Sequence, residues 1–165
     1  MSAINPAVSI LRADYGDVRH AADILRLMDE YARDPMGGAK PLGDDVKARL
    51  VPALATCAGA SSFIAYSGDE AIGLITCFET LSTFRALPLL NIHDVIVACS
   101  WRRRGIARLL FGAAELFARE RHCCKLTLEV LEGNTHAQAL YRDLGFSGYS
   151  LTPETGYALF WQKKL

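Results

Sequence analysis

Residues 97–110 read V-A-C-S-W-R-R-R-G-I-A-R-L-L. An apolar strand ends near Cys99, three arginines and a glycine form a turn, and a helix with regularly spaced apolar residues follows from Gly105. Such a turn offers unpaired backbone N–H groups and the positive end of a helix dipole, which together suit a diphosphate. Gly105 lets the backbone approach an anion closely, and the small Ala107 keeps the helix start open. A solvated basic loop is the alternative interpretation of this segment alone, because it has neither the P-loop nor the Rossmann glycine pattern.

The segments on either side alternate between strand and helix patterns. Predicted strands cover residues 8–12, 62–67, 71–80, 89–99, 126–131, 146–151 and 157–164. Predicted helices cover residues 14–33, 105–121 and 135–144, and a capping box at Thr135 and Gln138 opens the last of them. A further helix starts at Asp44 or Asp45, and Pro52 kinks or interrupts it. The order β-α-α-β-β-β-α-β-α-β-β predicts an α/β layer fold with a mixed sheet. No linker divides it, so we expect one domain over residues 1–165.

Composition excludes several classes of protein. The 165 residues are 51% hydrophobic, which is ample for a packed core, and 18 basic residues balance 18 acidic ones. Zero net charge argues against a polybasic nucleic-acid binder. No apolar run is long enough to span a bilayer, and the start has no signal-peptide pattern, so we expect a cytoplasmic protein with no membrane partner. The five cysteines are then reduced thiols, and no His or Cys spacing predicts a metal site.

Two motifs together resemble the GNAT-type N-acetyltransferases. Arg102-x-x-Gly105-x-Ala107 resembles that family's acetyl-CoA motif, [QR]-x-x-G-x-[GA]. Residues 126–146, L-T-L-E-V-L-E-G-N-T-H-A-Q-A-L-Y-R-D-L-G-F, resemble its second signature. Cys99 stands where proline is frequent in the family and Arg103 where glycine is frequent. The resemblance implies a mostly antiparallel, twisted sheet of about seven strands with helices on both faces.

The resemblance also implies a role for acetyl-CoA and for the residues that hold it. Backbone groups around Ile96 and Val97 would pair with the pantetheine arm, and the Val97 N–H would polarise the thioester carbonyl. Tyr141 would protonate the leaving thiolate, unless it only packs on the sheet. The residues expected to contact the cofactor are Ile96, Val97, Arg102, Arg103, Arg104, Gly105, Ile106, Ala107, Arg108, Asn134, Ala137 and Tyr141.

Three residues are candidates for the general base. Diamine acetyltransferases of this family carry a Glu-Asp pair at about the place of His93 and Asp94, so His93 would replace the glutamate and Asp94 would match the aspartate. A histidine can take a proton from an ammonium near neutral pH. The alternative is that His93 and Asp94 only join strands by hydrogen bonds. Glu79 is a further candidate for the base or for an ammonium anchor, or else a solvated carboxylate.

The acceptor pocket is expected from three variable segments, with Tyr31, Phe84 and Tyr157 as the substrate-binding aromatic residues and Asp34 and Glu79 as the main acids. We expect direct transfer to a small-molecule primary amine in a ternary complex, without a cysteine relay. The alternatives are a protein or peptide acceptor, or an acyl-CoA-binding sensor without turnover. A homodimer through the C-terminal edge strand is a further expectation from the family.

Overall fold

The computed structural model describes residues 7–165, and these form five strands and four α-helices in the predicted order. The strands are β1 (Val8–Arg12), β2 (Ala60–Ser67), β3 (Glu70–Ser82), β4 (Leu87–Val97) and β5 (Leu126–Leu128). The helices are α1 (Val18–Arg33), α2 (Asp44–Thr56), α3 (Ile106–Glu120) and α4 (Thr135–Asp143). Short 3₁₀ turns lie at Pro35–Gly37, Cys99–Trp101 and Pro153–Thr155.

The sheet is mixed and follows the order of the chain, β1-β2-β3-β4-β5. Neighbours are antiparallel except for β4 and β5, which pair in parallel from Leu90↔Leu126 to Ile92↔Leu128. Because a parallel pair needs a crossover, α3 connects these two strands.

Helices cover both faces of the sheet. On one face α1 and α2 pack against β2, β3 and β4 in a cluster of buried residues, which are Ile24, Leu27, Val51, Leu54, Ile64, Tyr66, Ala71, Leu74, Ile96 and Ala98. On the other face α3 contacts the sheet, with the Phe117 ring 5.6 Å from that of Phe63. Gly73 admits this helix, since a Cβ there would lie 3.1 Å from Leu110 Cδ1 and 3.2 Å from Ile106 Cγ2.

The chain divides into two compact units. The first ends at Leu128 and contains the whole sheet with α1, α2 and α3. The second, Glu129–Leu165, contains α4 and an irregular C-terminal segment. No helix in residues 7–165 is long and apolar enough to cross a membrane.

Three predictions about elements need correction. The sheet has five strands instead of about seven, because residues 146–165 form only one antiparallel bridge, Ser150↔Tyr157. Helix α1 begins after Asp17, whose carboxylate accepts the His20 N–H at 2.9 Å, and not after Asp14. Helix α2 continues through Pro52 to Thr56.

Candidate active site

The centre of the candidate site is an irregularity in β4. Thr76 pairs with Asp94 but the next residue, Cys77, pairs with Ile92, so β4 carries one extra residue, His93. A bulge of this kind redirects side chains. The His93 ring meets Phe78 edge-on at 5.4 Å, and Phe78 packs against the cluster under α1 and α2. The bulge therefore directs His93 to the face of the sheet that α1 covers.

Asp94 is a partly buried carboxylate on the same face. Burial raises its pKa, and the nearby His93 lowers it to a smaller extent. Within residues 7–165 no hydrogen bond to this carboxylate is present. The charge of Asp94 acts on Tyr31 of α1. Burial raises the pKa of Tyr31 most, and the charges of Asp94 and Asp34 raise it further. The tyrosine hydroxyl stays neutral in a region of negative potential, which is suited to an ammonium group.

Glu79 lies apart from this group. Its two oxygens accept from Arg121 Nε at 2.7 Å and Nη2 at 3.0 Å, and Arg121 ends α3 on the opposite face. This bidentate pair lowers the pKa of Glu79. Glu79 therefore remains ionised and paired, which makes it a weaker candidate for the base than His93 or Asp94.

The backbone of β4 beyond the bulge has an edge that no strand of residues 7–165 pairs with, because β5 ends opposite Ile92. The Ala98 N–H donates to Ile72 O at 2.9 Å. Since hydrogen-bonded and non-bonded pairs alternate along antiparallel strands, Ile96 directs its N–H and C=O to β3, whereas Val97 directs its own to the open edge. The geometry thus suits the role predicted for Val97 but not a backbone contact from Ile96, whose side chain is buried in the core.

The turn that follows has a left-handed backbone at two positions. Arg103 and Gly105 both have positive φ, 61° and 80°, and Gly105 is the N-cap of α3. The N–H groups of the first turn, including those of Ile106 and Ala107, have no partner within the helix. Arg103 therefore reproduces the left-handed conformation for which glycine is usual.

The arginines of this turn have different surroundings. Arg102 donates from Nε to Val97 O at 3.2 Å and from Nη2 to Asp34 at 2.9 Å, so it ties the turn to β4 and α1. Arg104 stacks over Trp101 with its guanidinium carbon 4.9 Å from the ring centre. All four arginines, including Arg103 of the turn and Arg108 in the first turn of α3, are exposed. Arg102 and Arg104 also contact neighbouring residues of the first unit.

Glu30 of α1 and Asp34, its C-cap residue, contact the cofactor turn, although the sequence did not single them out for that turn. Glu30 accepts the Cys99 N–H at 2.8 Å, and Asp34 accepts from Arg102. Their spacing of four places both on one face of α1. That spacing was visible in the sequence, but the turn they meet was not, because Glu30 and Cys99 are 69 residues apart.

The residues predicted in the second unit lie at the N-cap of α4, on this helix or after it. Asn134 is the N-cap of α4 and accepts the Ala137 N–H at 3.2 Å, while the Gln138 amide donates to the carbonyls of Leu131 and Glu132. The cap is therefore Asn134, and the predicted capping box at Thr135 and Gln138 is wrong. Tyr141 is half-buried, with its ring 6.2 Å from that of Phe146.

The predicted acceptor-site aromatic residues differ in placement. Tyr31 is half-buried near Asp94, as described above. Phe84 is fully exposed in the β3–β4 turn, beyond Ser82. Ser82 is six residues from Thr76, the strand partner of Asp94, or about 20 Å along β3. The structure therefore does not bring Phe84 to Asp94, and Tyr157, in the second unit, is largely exposed.

A cavity of about 510 Å³ lies elsewhere in the first unit, between the end of β1, the β1–α1 loop and the end of α2. Its lining includes Arg12, Tyr15 and Cys57 but none of the predicted site residues. In residues 7–165 no group of three or more His, Cys, Asp or Glu side chains is arranged to hold a metal ion.

A strand with an open edge, followed by a left-handed turn at a helix start, is the arrangement expected of an acyl-CoA-binding α+β protein. The family model of the acetyltransferase (GNAT) family matches residues 24–146, and the chain belongs to that family. It is an acetyltransferase with the α+β GNAT fold, and the cofactor of the family is acetyl-CoA.

Several curated proteins are similar to the chain. Thialysine N-epsilon-acetyltransferase of Caenorhabditis elegans is 26% identical over 147 residues, covering 86% of this chain and 84% of that protein. Aminoglycoside N(6')-acetyltransferase type 1 of Acinetobacter haemolyticus is 27% identical over 109 residues, 64% of this chain and 71% of that protein. Streptothricin acetyltransferase of Streptomyces lavendulae is 37% identical over 90 residues, 54% and 46%.

Solved structures share the fold. The aminoglycoside N-acetyltransferase AAC(6')-Iy in complex with CoA has a TM-score of 0.73 at 20% identity, covering 96% of each chain. A possible acetyltransferase from Clostridium difficile 630 has a TM-score of 0.76 at 22% identity, covering 96% of this chain and 98% of that one.

Proposed function

We propose that this N-acetyltransferase acetylates a primary amine of a small molecule, by direct transfer in a ternary complex. The observation that carries the proposal is the arrangement along β4. An Asp94 carboxylate without a hydrogen bond in residues 7–165 lies three residues before Val97, whose N–H is directed to the open edge. One short segment thus offers an anchor for a cation and a donor for a carbonyl oxygen.

The residues of the first unit have separate roles in the reaction. Asp94 holds the amine as an ammonium beside Tyr31, and His93 or Asp94 then takes its proton. The Val97 N–H donates to the acyl carbonyl oxygen, where negative charge develops during transfer. Acetyl-CoA supplies the activated thioester, and the turn of residues 102–107 holds its diphosphate. The left-handed backbone at Arg103 and Gly105 and the start of α3 support this fit.

The second unit would supply the remaining groups. Tyr141 returns a proton to the leaving sulfur, and Asn134 and Ala137 contact the arm of the cofactor. The family motif supports these assignments, together with the position of all three residues on one short helix or at its cap.

The printed names of the relatives favour a small-molecule acceptor, since those proteins are acetyltransferases of aminoglycosides, thialysine and streptothricin. Thiol release from acetyl-CoA with a panel of such amines tests this proposal, with lysine-containing and N-terminal peptides as the competing class. Turnover only with peptides would contradict the acceptor class. Binding of CoA in calorimetry without turnover on any amine would favour the sensor.

Two substitutions test the mechanism. Tyr141→Phe should lower kcat strongly and leave the affinity for CoA unchanged, whereas full activity would remove Tyr141 as the acid. His93→Ala should flatten the acidic limb of the pH–rate profile if His93 is the base. An unchanged limb would leave Asp94 as the group that takes the proton.

The homodimer and the cytoplasmic location are proposals of the same kind. Exposed apolar side chains in the C-terminal segment, such as Phe160 and Trp161, support an association between copies. Five free thiols support a reducing compartment. Sedimentation of the purified protein and fractionation of cells test these two expectations.

A further inference from the structure

Two carboxylates at the end of α1, that of Glu30 in its last turn and that of its C-cap Asp34, contact the turn between β4 and α3. Glu30 Oε1 accepts the Cys99 N–H at 2.8 Å, and Asp34 Oδ2 accepts from Arg102 Nη2 at 2.9 Å. The second oxygen of Asp34 accepts the Met36 N–H at 2.8 Å. Both carboxylates therefore accept hydrogen bonds from the turn between β4 and α3, and Asp34 also accepts one from the loop after α1.

The Glu30 contact fixes the point at which β4 turns away from the sheet. Cys99 is the first residue of the 3₁₀ turn Cys99–Trp101, where a backbone N–H has no partner within the turn. The preceding residue, Ala98, has φ −50° and ψ 137°. The glutamate satisfies the N–H of Cys99 and holds this bend against α1.

Asp34 acts on the same turn through Arg102. The guanidinium of Arg102 also donates to Val97 O at 3.2 Å, so Asp34, Arg102 and the end of β4 form one connected group. The Met36 N–H and then Arg102 lower the pKa of Asp34, which keeps it ionised at neutral pH. Asp34 is the N-cap of the 3₁₀ turn Pro35–Gly37, so it connects the cofactor turn to the loop after α1.

Two carboxylates beside a turn that binds a diphosphate would by themselves oppose its binding. Their contacts offer a reason for their presence. The left-handed backbone at Arg103 is strained for a non-glycine residue, and such conformations persist only where surrounding contacts fix them. Cys99 and Arg102, which both precede Arg103, are the points at which Glu30 and Asp34 restrain this turn.

We propose that Glu30 and Asp34 are positioning residues that hold the turn of residues 102–107 in its diphosphate-binding conformation. This inference rests on the proposed role of that turn in holding acetyl-CoA. Neither carboxylate touches the cofactor, and each acts through the backbone or the arginine that it binds.

The first experiment compares two acetyl donors. S-acetylpantetheine carries the thioester and the arm of acetyl-CoA but no diphosphate. Glu30→Ala and Asp34→Ala should each lower kcat/KM for acetyl-CoA about tenfold and weaken CoA binding in calorimetry by the same factor, about 1.4 kcal/mol. Glu30→Ala should change kcat/KM for S-acetylpantetheine less than twofold, and Asp34→Ala should change the affinity for pantetheine in calorimetry less than twofold. Glu30→Gln keeps an acceptor oxygen and should restore most of the loss.

The second experiment isolates the Cys99 N–H. The backbone at Ala98 and the position of Cys99 at the start of a turn are compatible with proline, which has no N–H. In a Cys99→Pro background, Glu30→Ala should therefore change CoA affinity less than twofold. An equal loss in both backgrounds would overturn the contact as the route by which Glu30 acts.

Two further variants separate the possible failures. Glu115→Ala is the matched control, because within residues 7–165 Glu115 pairs only with Arg119 on the exposed side of α3, and it should leave both donors unaffected. Gly105→Ala strains the turn through its φ of 80° without a side-chain clash. If Gly105→Ala does not distinguish the donors, the turn does not hold the diphosphate and the proposed function of the turn fails. Gly105→Ala could instead distinguish the donors. If Glu30→Ala and Asp34→Ala then weaken the interaction with both donors equally, or with neither, the positioning role is wrong.

Discussion

Arg103 occupies a left-handed backbone conformation with φ 61° where the sequence has no glycine. The chain thus obtains the turn through contacts around it instead of through a permissive residue. We predict that the free energy of unfolding is higher for Arg103→Gly than for Arg103→Ala. The difference should be roughly 0.5–1 kcal/mol, after the greater entropy of glycine in the unfolded chain is subtracted. Both variants lose the same charge, so the difference in urea unfolding reports the backbone alone. An alanine variant as stable as the glycine variant would contradict the left-handed conformation.

Asp94 illustrates a residue whose environment favours function over stability. Burial raises its pKa above the unfolded value of about 3.9, so the folded protein binds the proton more tightly than the unfolded chain. Protonation therefore stabilises the fold as pH falls through the raised pKa, and ionisation removes that stability at neutral pH. We predict that Asp94→Asn is more stable than the wild type at pH 7 and that this advantage disappears below about pH 4. Thermal melts from pH 4 to pH 8 measure it.

The same variant should lose activity, because an amide offers no charge to an ammonium. A variant that is less stable than the wild type at pH 7 would show that the carboxylate is paired in solution. Activity retained with the stability gain would remove Asp94 from the proposed mechanism while leaving its burial intact.

At the scale of the elements, local signals predicted where most helices and strands lie but not how they end. Asp14 and Asp17 both match an N-cap, and only the folded backbone distinguishes them, since Asp14 instead accepts the Gly16 N–H at 2.8 Å. In α3 Leu109 and Phe111 are both apolar, but Leu109 is 47% exposed whereas Phe111 is buried. The contact between α3 and the sheet determines which row of the helix is covered, and periodicity alone does not specify it.

The candidate site likewise combines features that adjacent residues predict with contacts between residues that are distant in the sequence. The turn after β4 and the His93–Asp94 pair were predictable because adjacent residues carry them. The pairing of Glu79 with Arg121, and of Glu30 with Cys99, joins residues 42 and 69 positions apart. Those contacts depend on the side of the sheet on which each helix packs, which a single sequence does not specify.

The Glu79–Arg121 pair connects β3 to the end of α3, and we predict a structural role for it. Glu79→Gln should leave kcat within twofold of the wild type and lower the free energy of unfolding at pH 7 by about 1 kcal/mol. Since pairing lowers the pKa of Glu79, this contribution is present above the unfolded value of about 4.3 and is lost as pH falls through the folded value. Loss of activity with unchanged stability would restore Glu79 as a base.

At the scale of the whole molecule, the C-terminal segment departs most from expectation. Residues 157–164 contain Tyr, Leu, Phe and Trp, a composition typical of strands, yet these side chains are 72–82% exposed. A strand needs a partner edge as well as suitable residues, and composition reports only the residues. Helix α4 likewise buries no residue completely. The stability of the chain is therefore concentrated before Leu128.

This distribution predicts that a chain ending at Leu128 folds without the second unit. It retains all five strands, their pairing from β1 to β5 and the two faces covered by α1, α2 and α3. The turn of residues 102–107 also lies within it, so the shortened chain should still bind CoA in calorimetry, with an affinity reduced by the absence of Asn134. It should release no thiol from acetyl-CoA with any amine, because Tyr141 is absent.

Cooperative thermal unfolding of the shortened chain is the first measurement, and a chain without a cooperative transition would show that residues 129–165 are needed for folding. Transfer at the full rate would instead exclude Tyr141 as the acid, since the proton would then come from within residues 1–128.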